Sequence, residues 1–143
     1  MHSVDVLLKR WRHEGTVVLP PVSPEQVRET FSSLGSVATA DVIALYGQLG
    51  GMERPDDAFW RLWPVEEIGA QNSKRSDFGV LFSDYMVDCW CYRLRPRDNE
   101  TSAVLIDRFG DHEPAVVAHS LSEFFDAYVA DADRLLNAVD ERY

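Results

Sequence analysis

Apolar residues recur at helical spacing in the first third of the chain and close to alternation in the middle, and this change of period separates the elements. Val4, Leu7, Leu8 and Trp11 lie at offsets 0, 3, 4 and 7, which predicts a helix over residues 2–13 stopped by Gly15. Val17 to Pro21 is extended, held so by Pro20-Pro21. Ser23-Pro24-Glu25-Gln26 predicts a second helix, with Ser23 as cap, Pro24 at the first helical position and Gln26 closing a capping box. Val27, Phe31 and Leu34 supply its buried stripe and Gly35 its stop. A third helix is expected from Thr39 to Leu49, burying Val42, Leu45, Tyr46 and Leu49 and ending at Gly50-Gly51.

Beyond Gly51 the period moves towards two. Phe59–Trp63, Phe78–Phe82, Tyr85–Leu94, Ala103–Phe109 and Ala115–Ala118 read as strands. A helical turn falls at Val65–Ile68, and chain reversals at Ser83-Asp84 and Gly110-Asp111. In the longest strand Met86, Asp88, Trp90 and Tyr92 face one way; Tyr85, Val87, Cys89 and Cys91 face the other. The polar segments 71–77 and 95–102 read as loops. Ser120-Leu121-Ser122-Glu123 then opens a last helix. Its apolar positions run from Leu121 through Phe124, Phe125, Tyr128, Val129, Ala132, Leu135 and Leu136 to Val139, one continuous face that has to lie on the sheet.

Helices, then closely connected strands, then one helix define an α+β fold. The expected architecture is a twisted, mainly antiparallel sheet flanked by N-terminal helices and a long C-terminal helix, in one domain over residues 1–143. A chain of this length buries about 68–70% of its unfolded surface, so its core needs no metal or disulfide.

Charge narrows the functional classes. The net charge is −10, from 24 acidic and 14 basic side chains. Such a field repels phosphate backbones, which argues against direct nucleic-acid binding, and attracts a basic protein partner. The excess acid lies mainly in residues 15–70 and 121–143, so it belongs to the body of the domain and not to one tail. No apolar run approaches the roughly 18 residues of a membrane span. The basic residues near the start follow the short apolar stretch Val4–Leu8, the wrong order for a secretion signal. A cytoplasmic protein is expected.

Candidate chemistry is sparse. His2, His13, His112 and His119 show no metal-ligand spacing, and no second cysteine pair accompanies Cys89 and Cys91. On a strand those two thiols share a face with Cα atoms roughly 6.5–7 Å apart, at the limit for a disulfide, so they read as reduced. No metal and no cofactor are expected. Asp84, Asp88 and Asp107 could pair carboxylates across adjacent strands, which with His112 sketches a hydrolase; acids on the solvent face of a sheet account for them more simply. The stretch Glu53–Trp63 mixes acids with aromatics. It makes Glu53, Asp56, Asp57, Trp60 and Trp63 the first candidates for a partner-binding surface, with Asp84, Asp88 and Asp107 beside them.

Four motifs in order carry a resemblance. They are Ser-Pro-x-x-Val at Ser23–Val27, Leu45-Tyr46 followed by Leu49-Gly50-Gly51, Leu62-Trp63-Pro64-Val65-Glu66-Glu67-Ile68, and Val117-Ala118-His119-Ser120-Leu121-Ser122-Glu123-Phe124-Phe125. Together they resemble the SUKH superfamily, which includes a yeast cell-wall assembly regulator and many bacterial immunity proteins. The likeness covers about residues 23–128 and leaves 1–20 as an N-terminal extension; Leu49 stands where the family has Asn. The resemblance implies an α+β fold and no shared catalytic set. It further implies a non-enzymatic protein that binds and neutralises a cognate toxin, often a basic nuclease domain. A regulatory adaptor binding a cellular protein is the alternative, and a small hydrolase ranks last.

Overall fold

The computed structural model describes residues 1–86 and 89–139. Its sheet is a five-stranded meander in the order β1-β2-β3-β4-β5. The strands are β1 Trp60–Leu62, β2 Val80–Tyr85, β3 Trp90–Pro96, β4 Ser102–Asp107 and β5 Ala115–Ala118, and every neighbouring pair is antiparallel. Helices α1 (His2–Glu14), α2 (Pro24–Ser33) and α3 (Ala40–Tyr46) precede the sheet, α4 (Val65–Gln71) joins β1 to β2, and α5 (Leu121–Ala130) follows β5. The α+β class expected from the residue pattern is therefore the observed one. Among the described residues no helix is long and apolar enough to cross a membrane.

One face of the sheet carries the main core. Trp60 stacks on Trp11 of α1 at 6.0 Å between ring centroids and meets Phe125 and Tyr128 of α5 edge-on at 5.7 and 5.4 Å. Phe82 and Tyr92 pack on Phe124 from the neighbouring strands. The N-terminal helix thus shares this core: Val4, Leu7 and Trp11 are buried in it. The other face holds a small cluster, Ala103, Leu105 and Val116, packed against Phe78 and Val139.

The caps behave as the sequence predicts. Ser23 Oγ accepts the Gln26 N–H at 3.3 Å and Ser120 Oγ accepts the Glu123 N–H at 3.1 Å. Gly15 takes a left-handed φ of 81° to close α1. Helix α3 stops at Tyr46, before the expected Leu49. Gly47 weakens it there, and the chain beyond is drawn into strand-like pairing with residues 18–19. Gly50 is required at that crossing, because a Cβ would lie 2.1 Å from the Pro20 carbonyl oxygen.

Three expectations need correction. Ser83 and Asp84 are not a turn; both lie within β2 and are buried. The chain reverses after Tyr85, where the Cys89 N–H reaches the Met86 carbonyl at 3.4 Å. The predicted strand Tyr85–Leu94 is therefore two strands, and Tyr85 pairs with Trp90 and shares its face instead of facing with Cys91. A bulge between Leu81 and Ser83 shifts the register, which hides the reversal from an alternation count. Val87 and Asp88 lie outside the described residues.

Strand β3 also runs on through Arg95 and Pro96, so the predicted loop 95–102 contracts to 97–101. Asp98 holds that loop by accepting the Glu100 and Thr101 N–H groups at 2.8 and 2.7 Å.

The last correction concerns the long C-terminal helix, which ends at Ala130. Asp131 is extended, at φ −167° and ψ 115°, and its carboxylate caps the Asp133 N–H at 3.0 Å to start a 3₁₀ turn over Ala132–Leu136. A short acidic side chain offers the backbone an alternative to the helix here. The sheet then fixes the new path: Tyr92 OH donates to the Leu135 carbonyl at 3.0 Å and the Val139 N–H to the Val116 carbonyl at 2.7 Å.

Candidate partner-binding end of the sheet

The eight residues singled out from the sequence divide by burial. Trp60 is 0% exposed, and Trp63, Asp56, Asp84 and Asp107 are buried as well, so these five form no part of the accessible surface. Glu53 and Asp57 are exposed, and Asp88 lies outside the described residues.

Each buried carboxylate has structural partners that explain its position. Asp56 accepts the Trp11 indole N–H at 2.7 Å, the backbone N–H groups of Ala58 and Trp60 at 3.0 Å each, and the Tyr128 hydroxyl. It therefore joins α1, α5 and the loop before β1. Burial raises the Tyr128 hydroxyl well above its ordinary pKa, and the neighbouring Asp56 charge adds to the shift.

On the opposite face of the sheet Arg61, Asp84, Cys91 and Asp107 form one cross-strand row. Asp84 accepts the Trp63 indole N–H at 2.6 Å and lies 3.5 Å from the Arg61 guanidinium, which also grips Glu67. The hydrogen bond that Arg61 donates to Glu67 leads the rise in the Arg61 pKa, against the opposing pull of burial. Asp107 pairs with Arg93 at 2.7 Å. The paired-carboxylate arrangement considered for hydrolysis is thus a ladder of acids each held by a cation or an indole. Cys91 is buried and Cys89 exposed. Among the described residues no group of three His, Cys, Asp or Glu is placed to hold a metal ion.

The exposed large apolar side chains are elsewhere. Phe59, Met86 and Phe109 are 54%, 41% and 45% exposed. They are also the three non-glycine residues with left-handed φ among those described, at 69°, 60° and 60°. Phe59 precedes β1, Met86 follows β2 and Phe109 follows β4, so the antiparallel order brings all three to one end of the sheet.

Hydrogen bonds enforce each conformation. The Phe59 N–H donates to the Asp56 carbonyl, the Met86 N–H to the Phe59 carbonyl, and the Phe109 N–H to the Asp107 carboxylate, all at 2.9 Å. A left-handed backbone costs a residue with a Cβ about 1–2 kcal/mol. Strain that aims a large apolar side chain at solvent contributes nothing to the core, and such strain clusters at functional sites.

Acid borders this end. A cleft of about 420 Å³ beside it is lined by Glu14, Thr16, Val17, Glu53, Arg54 and Asp57, and its rim includes the exposed Val17. Glu14 accepts the Asp57 N–H at 3.2 Å, which fixes the loop to the end of α1.

The stretch Glu53–Trp63 does reach the surface, but through Glu53, Asp57 and Phe59 and not through its tryptophans. Sequence reasoning missed Phe59, Met86 and Phe109. The available signal was an aromatic beside a turn residue, as in Phe109-Gly110, which an alternation count assigns to the strand. Comparison with protein-family models, with curated proteins and with solved structures finds no match to this chain.

Proposed function

We propose that this chain is a cytoplasmic protein-binding protein of the immunity type, which captures a basic toxin domain and blocks it. The observation that carries the reading is the end of the sheet where Phe59, Met86 and Phe109 are held in left-handed backbone and exposed. Acid at Glu53 and Asp57 flanks them in a chain of net charge −10. Apolar anchors with a charged rim are the arrangement of a tight protein interface. The acid raises the encounter rate with a cationic partner and orients it; the anchors slow its release. The resemblance to SUKH immunity proteins points the same way, and no catalytic step is needed.

The test pairs the purified chain with the product of each gene next to its own in the host. Inhibition of that product's toxicity, weaker binding as salt rises, and loss of both in Phe59→Ala/Met86→Ala support the proposal. Capture unchanged by salt and by the double substitution would sink it. Weak binding to several housekeeping proteins would shift the weight to an adaptor.

A further inference from the structure

A second cleft lies at the opposite end of the sheet, and its charge runs against that of the chain. It encloses about 280 Å³ between the turn after α2 (Leu34 to Val37), the α4–β2 connection (Asn72 to Gly79) and the end of β3 at Arg95 and Pro96. Its charged lining is Lys74, Arg75 and Arg95 against the single acid Asp77. The chain as a whole has 24 acids to 14 bases. An excess of cations at one cleft of such a chain is a local feature of the loop that builds it.

That loop is anchored at both ends. Asn72 Nδ2 donates to the Ile68 and Leu81 carbonyls at 2.8 and 2.9 Å, and its Oδ1 accepts the Leu81 N–H at 2.8 Å. At the other end Gly79, with φ 101°, lies so close to β3 that a Cβ would stand 2.1 Å from the Leu94 carbonyl oxygen. Arg93 Nη1 donates to the Gly79 carbonyl at 2.7 Å. Between these anchors Lys74 and Arg75 are exposed, and among the described residues neither forms an ion pair. The Arg75 guanidinium passes over Gly35, where a side chain would only touch it. Two unpaired cations therefore stand on an anchored loop facing a third, Arg95, across a cleft.

We infer that this cleft binds a phosphate-bearing small molecule, with Lys74 and Arg75 as its ligands. A dianionic phosphate matches two unpaired cations better than a single carboxylate does, and a guanidinium can grip two of its oxygens at once. The site stands apart from the surface proposed for toxin capture, so either reading can fail without the other.

The test is calorimetric titration of the full chain with inorganic phosphate in chloride buffer, with acetate as the monoanionic control. Saturable one-site binding of phosphate is expected, with acetate weaker. In Lys74→Ala/Arg75→Ala the affinity should fall at least about tenfold, and in Arg134→Ala, remote from the cleft, it should be unchanged. Asp77→Asn should bind more tightly. Both cations of the double variant are exposed, so its thermal midpoint should stay near that of the parent, which separates a lost site from a lost fold. Absence of saturable binding, or equal binding by the double variant, would overturn the inference. Binding of polyglutamate through Lys74 and Arg75 without any phosphate site would also overturn it, and would assign the cleft to an acidic protein segment.

Discussion

Trp11 donates its indole N–H to the Asp56 carboxylate at 2.7 Å, and the bond links the first helix to the loop that precedes the first strand. Because Trp11 also stacks on Trp60, the first helix, the loop and the centre of the core are fixed by the same side chain. The loop is then shaped around Asp56, whose carboxylate also takes the Ala58 and Trp60 N–H groups. Phe59 is pushed into left-handed backbone between these two residues. The buried acid is thus a positioning residue for the exposed aromatic.

Asp56→Ala should destabilise the fold by at least about 3 kcal/mol, since hydrogen bonds to a charged group contribute about 1.5–3 kcal/mol each and four donors lose their acceptor. Trp11→Phe removes one of those bonds and keeps an aromatic ring, so it should cost less. Urea unfolding measures both. A cost below about 1 kcal/mol for Asp56→Ala would mean that water replaces the carboxylate and that the loop is shaped otherwise.

Phe59→Asn and Met86→Asn should leave stability unchanged or raise it by about 0.5–1 kcal/mol. Asn tolerates left-handed backbone far better than Phe or Met, and neither side chain is buried. The same substitutions should weaken partner capture. Thermal unfolding alongside a binding assay separates the two effects. A marked loss of stability would show that Phe59 and Met86 contribute to packing, and would remove the argument that their strain serves binding.

The helices, their caps and the α+β order were legible because each rests on local pattern. Ser23, Ser120 and Gly15 act through neighbours within a few residues. Burial of the acids was not legible. Asp56, Asp84 and Asp107 look like surface charge in sequence, and only the tertiary fold brings Trp11, Arg61, Trp63 and Arg93 to them. The break at Asp131 escaped for a related reason: Leu135 is buried as the helical stripe predicts, but Tyr92 and β5 hold it there by a different backbone path. At the sheet end the pattern misled, because Phe59 and Phe109 continue an apolar run into backbone that is no longer extended.

Two glycines with left-handed φ should respond unequally to alanine. Gly110 has open space where a Cβ would stand, so Gly110→Ala should cost about 1 kcal/mol from the backbone alone. Gly79→Ala adds a clash 2.1 Å from the Leu94 oxygen and should cost about 3 kcal/mol or more. Urea midpoints compare them directly. Equal costs would mean that the α4–β2 connection moves away from β3 easily, and the anchored wall of the basic cleft would go with it.

Alkaline unfolding should be governed by the buried tyrosines. Burial is the main cause that raises Tyr46, Tyr92 and Tyr128 above the ordinary value of 10.0, with the charges of Glu67 on Tyr46 and Asp56 on Tyr128 adding to it. A raised pKa in the folded state means that the unfolded chain loses these protons first as pH rises. Their contribution is therefore complete below pH 10 and declines above it, at roughly 1.4 kcal/mol per pH unit for each tyrosine that ionises only on unfolding. Phenolate absorbance and circular dichroism followed together should show these tyrosines ionising in the same transition that melts the fold. Tyr128→Phe should make the decline shallower by about one proton. Ionisation of all three at pH 10 with the fold intact would show that their hydroxyls reach water, and would count against the closed core around Trp60.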